Sequence, residues 1–387
     1  MRELDAALAW DLATGGPWPD PEALQGDRAY MALALREAVK GVGLANPNPP
    51  VGCVLVKSGR VIGAGVHTQA GAPHGEIQAL RDAAARGENP EGATAYVTLE
   101  PCCYHGRTPP CTDALLKAKV ARVVIGVRDP NPRVDGGGVA ILASHGVQVV
   151  ENVLWSDCAR FHAPFFKFIR TGTPWVALKV ALGSDGAAGS PGARTVVTPE
   201  PVQALAHALR RASRAILVGR GTVAADDPGL TDRWIVSPPP HRTFLRVVLD
   251  SASTLPPDRR VWRPVEGQPV LRVVLGEPGG LPGVEDLRLP PAEDGLGCSL
   301  RHLLHELASR GVDRVLVEGG PTLAQAFMRQ RLVDEFHEFS SDAPAGGSPV
   351  ALFPPKSWKA HVQAAWPTGT WTVWREPFGT SVEQGAP

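Results

Sequence analysis

The chain has 387 residues, enough for two or three domains, and its 39 Lys and Arg balance its 39 Asp and Glu to a formal net charge of zero. That balance argues against the broad basic footprint of a nucleic-acid binder, although a local pocket for one phosphate stays open. No stretch approaches the ~18 uninterrupted apolar residues of a membrane span, the N-terminus has no basic region ahead of an apolar run, and six cysteines are too few and too clustered for a disulfide scaffold; the expectation is a soluble cytoplasmic protein with neither a nucleic-acid nor a membrane partner.

Residues 1–25 read as a Pro-, Gly- and Asp-containing extension. A first block, 26–151, alternates helices and strands. An amphipathic helix is predicted over Tyr30–Lys40. Strands over Gly52–Val56 and Val61–Val66 flank the turn Lys57-Ser58-Gly59-Arg60. A helix over His74–Ala85 starts at the Pro73-His74 step. A strand over Ala95–Leu99 runs into Glu100-Pro101, and a helix over Thr112–Lys119 precedes a strand over Arg122–Val127. Residues 152–173 read as a linker rich in aromatics (Trp155, Phe161, Phe165, Phe166, Phe168). The second block, 174–378, starts with the apolar run at Trp175. Strands follow over Ala215–Val218, Leu245–Leu249, Leu271–Leu275 and Arg314–Val317. They alternate with helices over Val202–Ala212, Leu300–Arg310 and Thr322–Gln330. After Phe336 the chain turns Pro/Gly-rich, with a strand predicted over Thr370–Trp374 and a tail over 379–387. Both blocks therefore read as α/β layers.

The first block carries the chemistry. His74-Gly75-Glu76 is followed by Pro101-Cys102 and then by Pro110-Cys111. One imidazole and two thiolates suffice for a catalytic zinc site, which keeps its fourth position for water. Bound zinc lowers the pKa of that water towards ~7. His-x-Glu, Pro-Cys and a second Cys mark the zinc nucleobase deaminases, with the Glu moving protons rather than binding metal. Cys103 and His105 are alternative fourth ligands that would close a purely structural site.

The insert between the two cysteines is longer than the usual Cys-x-x-Cys, and it reads Cys103-Tyr104-His105-Gly106-Arg107-Thr108-Pro109-Pro110. Here the chain resembles the bifunctional riboflavin-biosynthesis deaminase/reductase family, which carries Pro-Cys-x-x-x-Gly-Arg/Lys-Thr-Pro-Pro-Cys. The segments Asn46–Cys53, Gly92–Glu100 and Asp129–Pro132 match the same family, as does His67, seven positions before His74. The resemblance implies a cytidine-deaminase-like domain with His74, Cys102 and Cys111 on Zn2+ and Glu76 as proton shuttle. It also implies Asn48, His67 and Arg107 on the pyrimidine or its ribose phosphate. An amide suits a heterocycle's donor and acceptor edge, and a guanidinium suits a phosphate. This chain departs from the family's usual His-Ala-Glu at Gly75, and Cys103 replaces a small polar residue.

In the second block, Gly219-Arg220-Gly221-Thr222 continues to Asp226-Asp227-Pro228, and Glu318-Gly319-Gly320-Pro321-Thr322 forms another strand-to-helix turn. Such turns let a phosphate approach the backbone. They resemble the same family's reductase half. That likeness implies a dihydrofolate-reductase-like α/β domain that uses NADPH to reduce ribosyl to ribityl. By position, Ala181, Thr222, Asp226, Ser251 and the turn from Gly320 through Pro321 and Thr322 to Ala326 would contact NADPH. Arg210, Leu230, Arg233 and Glu318 would contact the phosphoribosyl substrate. The family pattern is altered at Gly183–Gly186 and Gly192–Val196 and absent after Phe336. Four readings stay open: the bifunctional enzyme, acting on a small-molecule pyrimidine ribosyl phosphate and self-associating through its reductase half or not; a monofunctional deaminase with a degenerate second domain; a zinc-stabilised interaction protein; and a nucleic-acid base deaminase, against which the balanced charge weighs.

Overall fold

The computed structural model describes residues 2–3, 10–11, 13–188, 200–231, 242–277 and 279–377. It divides into two compact units, one of Thr14–Gly172 and the other of Met1–Ala13 with Thr173–Pro387. The first two described residues form a short strand, β1 (Arg2–Glu3), in the sheet of the second unit.

The first unit opens with α1 (Gly26–Val39), which buries Met31, Leu35 and Val39 along one side. Strands β2 (Gly52–Lys57) and β3 (Arg60–Val66) form an antiparallel hairpin. Its turn residues Ser58 and Gly59 both take positive φ, 51° and 75°, the twist that two-residue hairpins favour. The chain continues through α2 (Gly75–Ala85), β4 (Thr94–Val97), α3 (Cys111–Lys117), β5 (Arg122–Ile125), α4 (Gly137–Ser144), β6 (Gln148–Val150) and α5 (Trp155–Thr171). The sheet order is β3-β2-β4-β5-β6, antiparallel at β3-β2-β4 and parallel at β4-β5-β6. Its core joins Leu55, Ile62, Ala83, Val97, Leu115, Ile125 and Leu142. Helix α2 lies hard against β3, because a Cβ on Gly63 or Gly65 would sit 2.4 Å from the Ala79 carbonyl or 2.3 Å from its amide. This close seat fixes where the first turn of α2, and with it His74 and Glu76, is presented.

Two boundaries differ from expectation. The segment 152–173 is no linker: Trp155–Thr171 is a helix of the first unit that buries Cys158, Phe161, His162 and Phe165. That i, i+3, i+4, i+7 stripe is a core-facing helix face. The extension 1–25 does not hold together as one piece either, since residues from Thr14 onward belong to the first unit. There Trp18 is buried, packs edge-on against Phe161 at 5.2 Å, and donates from Nε1 to Thr14 Oγ1 at 3.0 Å.

The second unit runs through β7 (Trp175–Leu182), α6 (Glu200–Ala212), β8 (Ala215–Gly219), α7 (Arg220–Asp226), β9 (Leu245–Leu249), β10 (Val270–Val274) and β11 (Glu285–Arg288). It continues with α8 (Leu300–Ser309), β12 (Arg314–Val317), α9 (Pro321–Arg329), β13 (Glu335–Ser341), β14 (Lys359–Trp366) and β15 (Gly369–Arg375). The sheet order is β1-β14-β15-β13-β7-β12-β8-β9-β10-β11. From β13 to β11 every pairing is parallel, and β14 and β15 are antiparallel additions. Parallel strands need covered faces, and the all-buried runs of β10 and β12 fit that need. The C-terminal ends of β12, β8 and β9 therefore open on one edge of the sheet, where such folds bind ligands.

Candidate active sites

In the first unit His74 is the N-cap residue of α2, Cys111 is the first residue of α3, and Cys102 follows the end of β4. His74 Nδ1 lies 3.5 Å from Cys102 Sγ and 3.3 Å from Cys111 Sγ. The three ligand atoms all fall within 4.8 Å of one another. Zinc bonds of ~2.0 Å to nitrogen and ~2.3 Å to sulfur, at tetrahedral angles, put those atoms about 3.5 Å apart, so the donor set fits a zinc ion. Cys103 and His105 do not join it: Cys103 Sγ turns to the Arg133 carbonyl at 3.6 Å, and His105 is exposed. Among the described residues the cluster thus has three ligands, the number of a catalytic rather than a structural site.

The surrounding groups orient this cluster. Thr108, from the long insert, places its hydroxyl 3.3 Å from His74 Nε2, the position that fixes a metal-binding imidazole's tautomer. Hydrogen bonds with Cys111 and His74 pull the pKa of Cys102 down, and the Cys102 sulfur in turn pushes that of Cys111 up. Glu76 is buried, and its Oε2 has no hydrogen-bond partner. Burial, reinforced by the charge on Cys102, pushes its pKa up to about 7.

A cavity of about 390 Å³ opens on these groups and is also lined by Asn48, His67 and Arg107. Asn48 Nδ2 lies 3.1 Å from His67 Nε2, and His67 Nδ1 lies 3.1 Å from the Pro73 carbonyl. The Pro73 carbonyl only accepts and the Asn48 amide nitrogen only donates, so His67 carries its proton on Nδ1 and accepts at Nε2. Of the seven residues expected in the deaminase site, six line this one cavity; the seventh, Cys111, is buried.

Sequence reasoning missed other lining residues. Asp129, Asn131 and Arg133 come from the loop after β5, and Phe165, Phe168 and Ile169 come from α5. Burial pushes the Asp129 pKa up to about 6. Glu100 holds that loop, accepting from the backbone N–H groups of Gly136, Gly138 and Val139 at 3.0, 3.0 and 3.2 Å. The available signal was the matched segment Asp129–Pro132; α5 gave none while it was read as a linker.

In the second unit a cavity of about 690 Å³ lies along the strand ends. Thr222, Asp226, Ser251, Gly320, Pro321 and Thr322 all line it. Thr222 Oγ1 accepts from Gly320 N–H at 3.0 Å, which ties the two glycine turns together. Ala181 is on β7 and does not line the cavity. Leu230 is a core residue, buried among Ile216, Val218, Phe244 and Val248. Arg210 and Glu318 meet each other, Nε to Oε1 and Nη2 to Oε2 both at 2.8 Å. Burial acts to raise the Glu318 pKa, but Arg210 outweighs it and the net shift is down. Lys179 on β7 was missed: burial lowers its pKa against the pull of Glu318. Arg233 and Gly192–Val196 lie outside the described residues. At Gly183–Gly186 the altered motif still makes a tight turn, in which Asp185 accepts from Ala187 N–H at 3.1 Å and Gly346 N–H at 2.8 Å.

An α/β unit with three zinc ligands beside a buried carboxylate, joined in one chain to a parallel-sheet unit with a glycine-lined cleft, is a two-domain zinc deaminase and reductase. Residues 24–127 match the cytidine and deoxycytidylate deaminase zinc-binding region, and residues 174–364 match the RibD C-terminal domain. The riboflavin biosynthesis protein RibD of Escherichia coli is 40% identical over 319 residues, 80% of this chain and 86% of that one. Its counterpart from Aquifex aeolicus is 37% identical over 81% and 86%. A crystal structure of a diaminohydroxyphosphoribosylaminopyrimidine deaminase/5-amino-6-(5-phosphoribosylamino)uracil reductase from Thermotoga maritima superposes with a TM-score of 0.81 at 35% identity, over 90% of this chain and 98% of that one. The chain belongs to the RibD family of riboflavin-biosynthesis enzymes, which join a deaminase to a reductase. The match across residues 174–364 leaves the degenerate second domain with no observation in its favour.

Proposed function

We propose that the first unit removes the 2-amino group of 2,5-diamino-6-(5-phosphoribosylamino)pyrimidin-4(3H)-one by hydrolysis, and that the second reduces the ribosyl group of the product to ribityl with NADPH. The observation that carries the first half is Glu76: a buried carboxylate, one oxygen unpartnered, two residues from one of three clustered zinc ligands. A zinc ion on His74, Cys102 and Cys111 would supply a water of lowered pKa. Glu76 takes a proton from that water and delivers one to the leaving nitrogen. The bond between the ring carbon and the exocyclic amino nitrogen breaks, a C=O forms at that carbon and ammonia departs. The Asn48 amide, held by His67, meets the ring's polar edge, and Arg107 at the cavity mouth meets the phosphate.

In the second unit Gly219, Gly221 and Gly320 leave the strand-end backbone bare, and a Cβ on Gly320 would stand 3.5 Å from Thr222 Oγ1. That cradle and the cavity volume fit an extended phosphate-bearing cofactor. NADPH bound there would supply hydride. Arg210, Glu318 and Lys179 form the charged cluster beside which the substrate's phosphoribosyl end is placed. No helix among the described residues is long and apolar enough to cross a membrane, which together with the balanced charge supports a cytoplasmic enzyme of small molecules. Glu76→Gln, with zinc retained by metal analysis, is expected to lower ammonia release at least ~100-fold, the scale of a lost general acid–base. Turnover within tenfold of the parent enzyme would overturn the assignment.

A further inference from the structure

Arg246 is a charge in the middle of an apolar row. It stands on β9 two residues from Phe244 and two from Val248, on the face that those side chains share, and is 1% exposed. Burying a cation costs free energy unless its donors are met. Here they are met by backbone carbonyls: Nε donates to Gln268 at 2.9 Å, Nη2 to Arg263 at 2.9 Å, and Nη1 to Val261 at 2.9 Å and Gly229 at 3.2 Å. Three of these carbonyls lie in the stretch 261–268 that leads into β10, where the guanidinium is a staple within the core. The fourth, Gly229, lies in the turn that follows α7.

That turn is strained. Asp227 and Leu230 both hold left-handed backbone, at φ 41° and 52°, a conformation that non-glycine residues keep only where their surroundings enforce it. Asp227 Oδ1 accepts from the Arg260 N–H at 2.9 Å, Leu230 is buried among Ile216, Val218 and Phe244, and the Thr231 carbonyl accepts from Arg210 Nη1 at 3.2 Å. Arg246 grips the turn between these anchors. The turn also joins two parts of the site. Asp226, just before it, lines the cavity, and Thr231, at its end, is tied to the Arg210–Glu318 pair.

We infer that Arg246 is a positioning residue for the reduction: through the Gly229 carbonyl it fixes the turn 227–231 in the shape that seats the substrate's sugar phosphate against the cofactor. The inference rests on the reading of the second unit as a reductase. A lysine does not replace it, because an ammonium donates from one point whereas these four carbonyls surround the planar fork of a guanidinium.

The test is steady-state NADPH oxidation by the full chain with already deaminated substrate, for the parent protein, Arg246→Lys and Asp227→Gly. The second variant removes the anchor to Arg260 and relaxes the backbone there without touching the buried row, so it decides the matter even if Arg246→Lys does not fold. Arg246→Lys should raise the KM for the sugar-phosphate substrate about 10-fold, the weight of one charge-assisted hydrogen bond. Its kcat should stay within about 3-fold of the parent, and its Kd for NADPH, read by nicotinamide fluorescence, within about 2-fold, since α7 still carries Asp226. Asp227→Gly should raise the same KM about 3-fold or more. A purely structural staple would lower the melting temperature of the second unit and leave KM alone, so an unchanged KM in either folded variant overturns the inference. A kcat or an NADPH affinity that falls as far as KM rises also overturns it, because the whole cleft and not the turn would then have moved. If the parent protein oxidises no NADPH with that substrate, the reading of the second unit as a reductase fails, and the inference falls with it.

Discussion

Gly75 stands where an added side chain would meet backbone. In a helix a glycine costs up to about 1 kcal/mol against Ala. In this chain a Cβ at Gly75 would lie 2.4 Å from the Val51 carbonyl oxygen, which already accepts from His67 N–H at 3.0 Å. Gly75→Ala must therefore move either the first turn of α2 or the backbone that positions His67. Overpacking of this kind costs roughly 1–3 kcal/mol, more than the helix propensity returns. The expected outcome is a lower melting temperature of the first unit and slower ammonia release, read by calorimetry and an ammonia assay. A variant that melts no lower would show that Val51 yields freely. The cluster of His74, Cys102 and Cys111 beside Glu76 was legible in the sequence because zinc chemistry fixes residue types at short spacings. Asp129 and Lys179 were not, because what singles them out is burial, and burial comes from strands and loops distant in sequence.

Helix α5 was hidden for a local reason. Pro164 sits inside it, and a proline within a helical pattern normally argues for a break. The buried stripe nevertheless continues across it from Cys158 to Phe165, and Gly172 closes the helix in the left-handed conformation at φ 63°. His162 on that stripe lies 3.1 Å from Thr98 Oγ1 and packs against Phe161 and Phe166. Burial pushes its pKa down to about 3. The native unit holds it neutral, whereas the unfolded chain would protonate it near 6.5. Its contribution is thus complete above pH 6.5 and is lost as pH falls towards 3, by about 1.4 kcal/mol per unit. Between pH 7 and pH 5 that amounts to about 2 kcal/mol. His162→Gln removes the titration while keeping a polar group for Thr98, so the variant's stability should fall less over that interval by about this amount. Denaturant unfolding of both proteins at the two pH values measures it, and parallel losses would show that His162 is not held neutral. Strand β13 was hidden differently. Its Glu335 and His337 look like surface residues, yet both are buried, with Glu335 bound to Arg314 at 3.0 Å, to Arg375 at 2.6 Å and to His337. Paired charges in a core erase the apolar pattern by which strands are recognised.

At the scale of the molecule, the two sheets share no strand and the two cores share no residue. The alternation of strands and helices made both α/β units legible; of the additions at the sheet edge after Phe336, β15 was expected as the strand over Thr370–Trp374, whereas β14, which pairs with it through a hairpin rather than a crossover helix, was not. The separation has a consequence for metal removal. The three residues whose ligand atoms fit a zinc ion all lie in the first unit: His74 caps α2, Cys111 starts α3, and Cys102 follows β4, so a metal there would cross-link elements of that unit alone. Metal affinity for such a site is folding free energy for the elements it joins. Chelation should therefore lower one thermal transition, abolish ammonia release, and leave NADPH oxidation with already deaminated substrate within about 2-fold of its starting rate. Restoring zinc should recover ammonia release and the lost thermal stability together. Simultaneous loss of both activities on chelation would mean that the reductase unit depends on the metal-bound unit for its own structure, and that the two cores do not act separately.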